Sequence, residues 1–124
     1  MQPAMPTVLV VEDEPAIRRL TSLSLEYAGM RAVAAANGQE ALDMLDGIQP
    51  DAIVLDLTMP VMDGRTFFRQ LRERGSQVPV MLLTAHAPHT AMEELQADGA
   101  MGKPFDPSAL AEQVRALMSR GVSS

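Results

Sequence analysis

Acidic side chains gather early in the chain at Glu12, Asp13 and Glu14, directly after the apolar run Val8-Leu-Val-Val11. A lone acid, Asp56, closes the run Ala52-Ile-Val-Leu55, Thr84 closes Val80-Met-Leu-Leu83, and Lys103 follows the short pair Ala100-Met101. Carboxylates about 5 Å apart repel by roughly 3 kcal/mol at an effective dielectric near 20. Three brought close together cost on the order of 10 kcal/mol, comparable to the stability of a whole domain. Cations must offset that cost: Lys103 on one side and a hard divalent ion on the other. An oxygen-only donor set points to Mg²⁺ or Mn²⁺, held by one or two carboxylates with several waters retained. Taken singly, each residue has a plainer role. Acids after strands cap helices, as Glu14-Pro15 suggests, a threonine can finish a strand, and a lysine can be a solvated loop cation. Their joint appearance on four run ends makes coincidence a poor explanation.

The elements that must position these groups follow from periodicity. Runs of four or five continuous apolar residues fit strands buried on both faces, with Ala32-Val-Ala34 supplying one more. Between them lie helical patterns: Ala16, Leu20, Leu23 and Tyr27; Leu42, Leu45 and Ile48; Phe67, Phe68 and Leu71; a weak one near residues 90–97 with Met92 and Leu95; and Leu110, Val114 and Leu117. Gly29, Gly47, Gly75, Gly99 and Gly121 each follow such a stretch, where a left-handed residue stops a helix. Asn37 with Glu40 reads as a capping box, and Asp106-Pro107 as an N-cap with proline at the first helical position. Strand and helix alternate five times, which implies a parallel sheet covered by helices on both sides. The expected fold class is α/β, a (βα)5 doubly wound parallel sheet in one domain over residues 1–124, with 121–124 as a frayed tail or the start of a linker. In such sheets ligands sit beyond the carboxyl ends of the strands, where the strand order reverses. With order 2-1-3-4-5, Asp13 and Asp56 become neighbours across that crevice, Glu12 flanks them, and Thr84 and Lys103 close the far side.

Composition narrows the function. The chain has 124 residues, 10 Lys+Arg against 16 Asp+Glu, a formal charge of −6 and no cysteine. That excludes a disulfide framework and Cys-ligated metal centres, and argues against direct nucleic acid binding, which needs a basic footprint. No apolar run approaches the ~20 residues of a membrane span. The opening Met1-Gln-Pro-Ala-Met-Pro-Thr7 has no basic n-region, so the expected location is cytoplasmic.

The segments Val10-Val-Glu-Asp-Glu-Pro15, Leu55-Asp-Leu-Thr-Met-Pro-Val-Met-Asp-Gly64, Leu83-Thr-Ala85 and Lys103-Pro-Phe105 together resemble a response-regulator receiver domain across essentially the whole chain. The resemblance implies a flavodoxin-like fold and a phosphoaspartate switch of a two-component or phosphorelay system. The implied phosphoryl donor is a histidine kinase or a histidine phosphotransfer protein. It implies Asp56 as phosphoacceptor, Glu12, Asp13, Asp56 and the Thr58 backbone carbonyl as Mg²⁺ ligands, Thr84 as the hydroxyl that turns toward the phosphoryl group, and Lys103 as its cationic partner. A cis bond before Pro104 is also implied, and X–Pro makes that isomer inexpensive. Physical logic supports these roles: a carboxylate attacking phosphorus meets negative charge, and the transfer depends on positioning and charge stabilisation. The product is a mixed anhydride that water removes, and its added charge can bias a loop between two positions.

One position departs from the pattern. Receivers commonly carry Tyr or Phe three residues before the lysine, and here Ala100 stands there; Tyr27, Phe67, Phe68 and Phe105 are placed elsewhere. The expected relay therefore runs through the loop after the fourth strand. His86 and His89 read as surface residues rather than a metal pair. The implied partners are the phosphohistidine donor and an unidentified output partner or output domain, the chain being either a stand-alone receiver or part of a larger regulator, monomeric or dimerising on phosphorylation. No separate enzymatic turnover is expected beyond self-catalysed phosphotransfer and autodephosphorylation. Three rivals stay in view. A haloacid-dehalogenase-type phosphatase needs a second Asp two residues after the nucleophile, where Thr58 stands. A flavin carrier needs a phosphate loop where the acids lie. The third is a receiver-like scaffold that is never phosphorylated.

Overall fold

The computed structural model describes residues 5–59 and 61–122. Strands β1 (Thr7–Val11), β2 (Arg31–Ala35), β3 (Ala52–Asp56), β4 (Val80–Thr84) and β5 (Gly99–Gly102) alternate with helices α1 (Pro15–Tyr27), α2 (Gly38–Met44), α3 (Gly64–Glu73), α4 (Pro88–Leu95) and α5 (Pro107–Val122). All strand pairings are parallel and the order is β2-β1-β3-β4-β5, the flavodoxin-like arrangement. Continuous apolarity marks the interior strands: every residue of β3 and β4 is buried, while the edge strand β5 has none buried. Side chains alternate across each strand, so Leu9, Val11, Ile53, Leu55 and Leu82 face one core layer with Phe67, Phe68 and Leu71 of α3. Val8, Val10, Val54 and Leu83 face the other layer, with Leu25 of α1 and Leu110, Val114 and Leu117 of α5.

Several local expectations change. The stripe Ala16, Leu20, Leu23 and Tyr27 does not face the core. Leu20, Leu23 and Tyr27 are 44%, 52% and 92% exposed, and the buried residues of α1 are Thr21 and Leu25. Only Gly29 and Gly75 among the expected helix-stopping glycines have positive φ, 94° and 87°. Gly99 instead opens β5, where a Cβ would come within 2.9 Å of the Met81 Cε, and Gln96 takes the left-handed position after α4. Gly121 lies within α5 rather than after it, so of the expected tail Gly121 and Val122 are helical, while Ser123 and Ser124 lie outside the described residues. Helix α2 ends at Met44, leaving Leu45 and Ile48 beyond it, yet both still pack on the core. Glu14 occupies the N-cap position of α1 without a side-chain capping bond. Asn37 does cap α2, accepting from the Glu40 N–H at 2.8 Å, and Asp106 accepts from the Ser108 N–H at 3.3 Å.

Candidate functional site

The carboxyl ends of β1, β3, β4 and β5 meet at one edge of the sheet. Val11 pairs with Leu55, Asp56 with Leu83, and Thr84 with Gly102, so Glu12, Asp56, Thr84 and Lys103 emerge within one row of strand ends. Backbone bonds extend the row past the strands: the Leu57 N–H donates to the Leu83 carbonyl at 3.1 Å, and the Lys103 N–H to the Thr84 carbonyl at 2.9 Å. The Lys103–Pro104 peptide is cis.

Glu12, Asp13 and Asp56 each offer a carboxylate oxygen within 4.8 Å of the others. Glu12 and Asp56 are buried and Asp13 is half-buried. The Lys103 ammonium bridges the two buried acids, 3.0 Å from Glu12 Oε1 and 3.3 Å from Asp56 Oδ2. Asp56 Oδ1 accepts from the Thr58 N–H at 3.1 Å, and Glu12 Oε2 from the Glu14 N–H at 3.2 Å. Burial pushes the Glu12 carboxyl up to about 7, against the bonds from Lys103 and the Glu14 backbone, and the Asp56 charge adds to the rise. For Lys103, burial works to lower the pKa, but bonding to and charge from Glu12 and Asp56 outweigh it and hold the ammonium above the usual lysine value. Lys103 thus pairs with two of the three acids, and Asp13 has no ion pair among the described residues. The buried Glu12 Oε1 has the Lys103 ammonium as its one polar partner among the described residues, a lone-pair surplus in an oxygen-only cluster. These residues fit a hard divalent cation.

Thr84 is buried at the end of β4, but its hydroxyl is engaged locally: it accepts from the His86 N–H and donates to the His86 carbonyl, both at 3.1 Å. Thr58 lies exposed at the rim and meets Asp56 through its backbone N–H. The two histidines do not converge. His86 is exposed in the loop, while His89, on α4 one residue after the helix-opening Pro88, lies 2.9 Å from Glu93.

Three supporting residues escaped sequence reasoning. Arg18 reaches back from α1 to donate to the backbone carbonyls of Glu12 and Asp13, at 3.0 and 3.3 Å, and fixes the acidic loop; its only signal is a cation one helical turn past the acids. Gly64 lets α3 start against the end of β3, since a Cβ there would lie 2.5 Å from the Asp56 carbonyl oxygen and 2.6 Å from the Leu57 Cα. Asp63 caps α3 by accepting from the Thr66 N–H at 2.8 Å, the bond that holds its carboxyl below the usual range. An Asp-Gly pair before an amphipathic stretch was the legible sign of both.

A five-stranded parallel sheet with an acidic cluster and a lysine at its switch-point edge defines a receiver-type α/β domain. The chain belongs to the response regulator receiver domain family, which matches residues 8–115. It is 40% identical over 116 residues to the response regulator MprA of Mycobacterium avium, covering 91% of this chain and 51% of that protein. Against MprA of Mycolicibacterium vanbaalenii it is 39% identical, covering 91% and 50%. The chain spans about half the length of the curated relatives it matches. Among solved structures, chemotaxis protein CheY4 of Vibrio cholerae aligns with a TM-score of 0.85 at 33% identity, covering 92% of this chain and 99% of that one. The Francisella response regulator 1452 receiver domain aligns at 0.86 and 30%, covering 94% and 98%. Among the described residues no helix is long and apolar enough to cross a membrane.

Proposed function

We propose that residues 1–124 form one phosphoacceptor domain of a two-component or phosphorelay system. Asp56 takes a phosphoryl group from the phosphohistidine of a histidine kinase or histidine phosphotransfer protein. The observation that carries this reading is the Lys103 ammonium set 3.3 Å from Asp56 and 3.0 Å from Glu12, beside a third acid, Asp13. An Asp56 carboxylate oxygen forms the new P–O bond as the P–N bond to the imidazole breaks, and the nitrogen keeps the electron pair and takes up a proton. Lys103 pairs with a phosphoryl oxygen, and the Thr58 N–H holds Asp56 in line. Glu12, Asp13, Asp56 and the Thr58 carbonyl are the proposed ligands of Mg²⁺, or Mn²⁺ in its place. When bound, that ion supplies neutralising charge for the transferred oxygens. Thr84 exchanges its bond to His86 for one to the phosphoryl group. Water later cleaves the acyl phosphate, returning the carboxylate and inorganic phosphate. The output is a changed protein–protein contact, with an output domain or a separate partner, and the chain turns over no other substrate.

Intact-mass spectrometry after acetyl phosphate or phosphoramidate treatment tests this. One phosphoryl adduct is expected, dependent on Mg²⁺ and absent from Asp56→Asn. An adduct that persists in that variant overturns the assignment, and the absence of any adduct favours the scaffold reading.

A further inference from the structure

The exposed stripe on α1 calls for an occupant. Ala16, Leu20, Leu23 and Tyr27 lie within about 60° of arc on the helix, opposite the buried Thr21 and Leu25, and all four are exposed to solvent. Three large apolar side chains aligned on one surface helix are more than the scatter of single exposed hydrophobics that needs no explanation. The helix is a firm platform: Leu25 anchors its inner face, and Arg115 of α5 donates to the Ala28 carbonyl at its C-terminal end.

We propose that this stripe docks a second copy of the chain, with the two α1 helices antiparallel across a twofold axis that passes between Leu20 and Leu23. The spacing 4-3-4 reads the same in either direction. Reversal therefore sets Leu20 against the partner subunit's Leu23, and the small Ala16 against the bulky partner subunit's Tyr27. Charge provides the second argument. Arg19 and Glu26 sit together on one flank of the stripe, both exposed, and neither forms an ion pair among the described residues. A twofold axis perpendicular to the helix pair keeps that flank on the same side in both copies. It places Arg19 about two residues, or roughly 3 Å along the axis, from the partner subunit's Glu26, within reach of both long side chains. A parallel pairing would put these charges on opposite flanks and leave them unpaired. Isologous contacts of this kind close at two copies. A single pair of 13-residue helices buries less than the ~1,200 Å² typical of a stable interface, so association is weak and depends on concentration. It uses no residue of the acidic crevice, so it proceeds without phosphorylation.

Sedimentation velocity on the full chain, from about 10 µM to about 1 mM, with circular dichroism to verify folding, tests the proposal. Wild type is expected to show a reversible monomer–dimer equilibrium with or without acetyl phosphate. Leu23→Lys weakens dimerisation at least tenfold. Arg19→Glu alone sets acid against acid and Glu26→Arg alone sets base against base, so each weakens it, whereas the double swap restores the wild-type constant. A chain monomeric throughout the range overturns the proposal, as does a dimer indifferent to Leu23→Lys or a double swap that fails to restore association. If the chain is monomeric and Leu23→Lys instead slows phosphoryl transfer from a phosphohistidine protein, the stripe belongs to the donor and the homodimer is refuted.

Discussion

Replacing Asp56 with Asn tests the electrostatic core of the site, because the sign of its effect on stability depends on pH. Oxygens of Glu12, Asp13 and Asp56 lie within 4.8 Å of one another, so each ionised pair repels by at least about 3.5 kcal/mol at an effective dielectric near 20. The Lys103 contact to Asp56, at 3.3 Å, returns about 5 kcal/mol on the same scale. Above pH 8 Glu12 is ionised, since its pKa is pushed up only to about 7. Neutralising Asp56 then relieves two repulsions, about 7 kcal/mol together, and forfeits the lysine contact. Screening at the half-buried Asp13 reduces the difference to a stabilisation of about 1–2 kcal/mol, or roughly 4–8 °C in Tm. At pH 5.5 Glu12 is protonated, one repulsion remains to be relieved, and the variant becomes less stable than wild type by a similar amount. Linkage gives the wild-type trend. Glu12 has a folded pKa raised from 4.5 to about 7, so the folded state holds the extra proton between those values. The associated stabilisation is complete below pH 4.5 and is lost as pH rises through 7, by about 3 kcal/mol in chelator-treated protein. Urea denaturation of both proteins in EDTA at pH 5.5 and 8.5 measures these differences. A variant less stable than wild type at pH 8.5 refutes the reasoning.

Four further substitutions separate positioning from packing. Gly64→Ala drives a methyl group into the Asp56 carbonyl and Leu57 Cα, and should cost about 3 kcal/mol by denaturation while slowing Asp56 phosphorylation in mass spectrometry. Leu25→Ala empties a fully buried site and should cost about 3 kcal/mol, whereas Leu20→Ala on the exposed face should change stability by less than about 0.5 kcal/mol. Lys103→Gln leaves Glu12 and Asp56 buried without their cation and should cost about 3–5 kcal/mol at pH 8, with part of the loss recovered at pH 5.5 in the same assay.

The convergence of these acids and the lysine was legible because the interior strands are short apolar runs that terminate on chemically distinctive residues. Parallel register then carries run ends to one edge, so Glu12, Asp56 and Lys103 meet as their spacing suggested. The orientation of α1 was not legible, because the helix has two faces capable of burial. Periodicity detects an apolar stripe without saying whether the sheet or another molecule covers it, and here Leu25 and a threonine, Thr21, face inward while the longer stripe faces out. Glycine misled for a related reason. Gly99, expected to follow a helix as its left-handed stop, instead serves a close approach to Met81, and that approach leaves no local pattern.

Ala100 raises the question of how a mark on Asp56 reaches the surface. It pairs with Leu82 and packs on the α3 side of the sheet, so no ring stands there to swing inward when the Thr84 hydroxyl moves. We propose α4 as the element on this side that responds. Ala87 before it and Gln96 after it both adopt left-handed backbone, at φ 39° and 58°. Such conformations cost non-glycine residues roughly 1–3 kcal/mol each. The helix has no side-chain N-cap and one buried residue, Ala91. What fixes its entry is the pair of bonds between the Thr84 hydroxyl and the His86 backbone. A phosphoryl group that captures that hydroxyl removes both bonds and frees Ala87 to relax, a change of the size needed to move a minor state toward even population. Backbone amide shifts of the metal-loaded protein, with and without a phosphoryl mimic, should therefore differ across residues 84–97. Identical shifts over that segment would leave α4 outside the signal path.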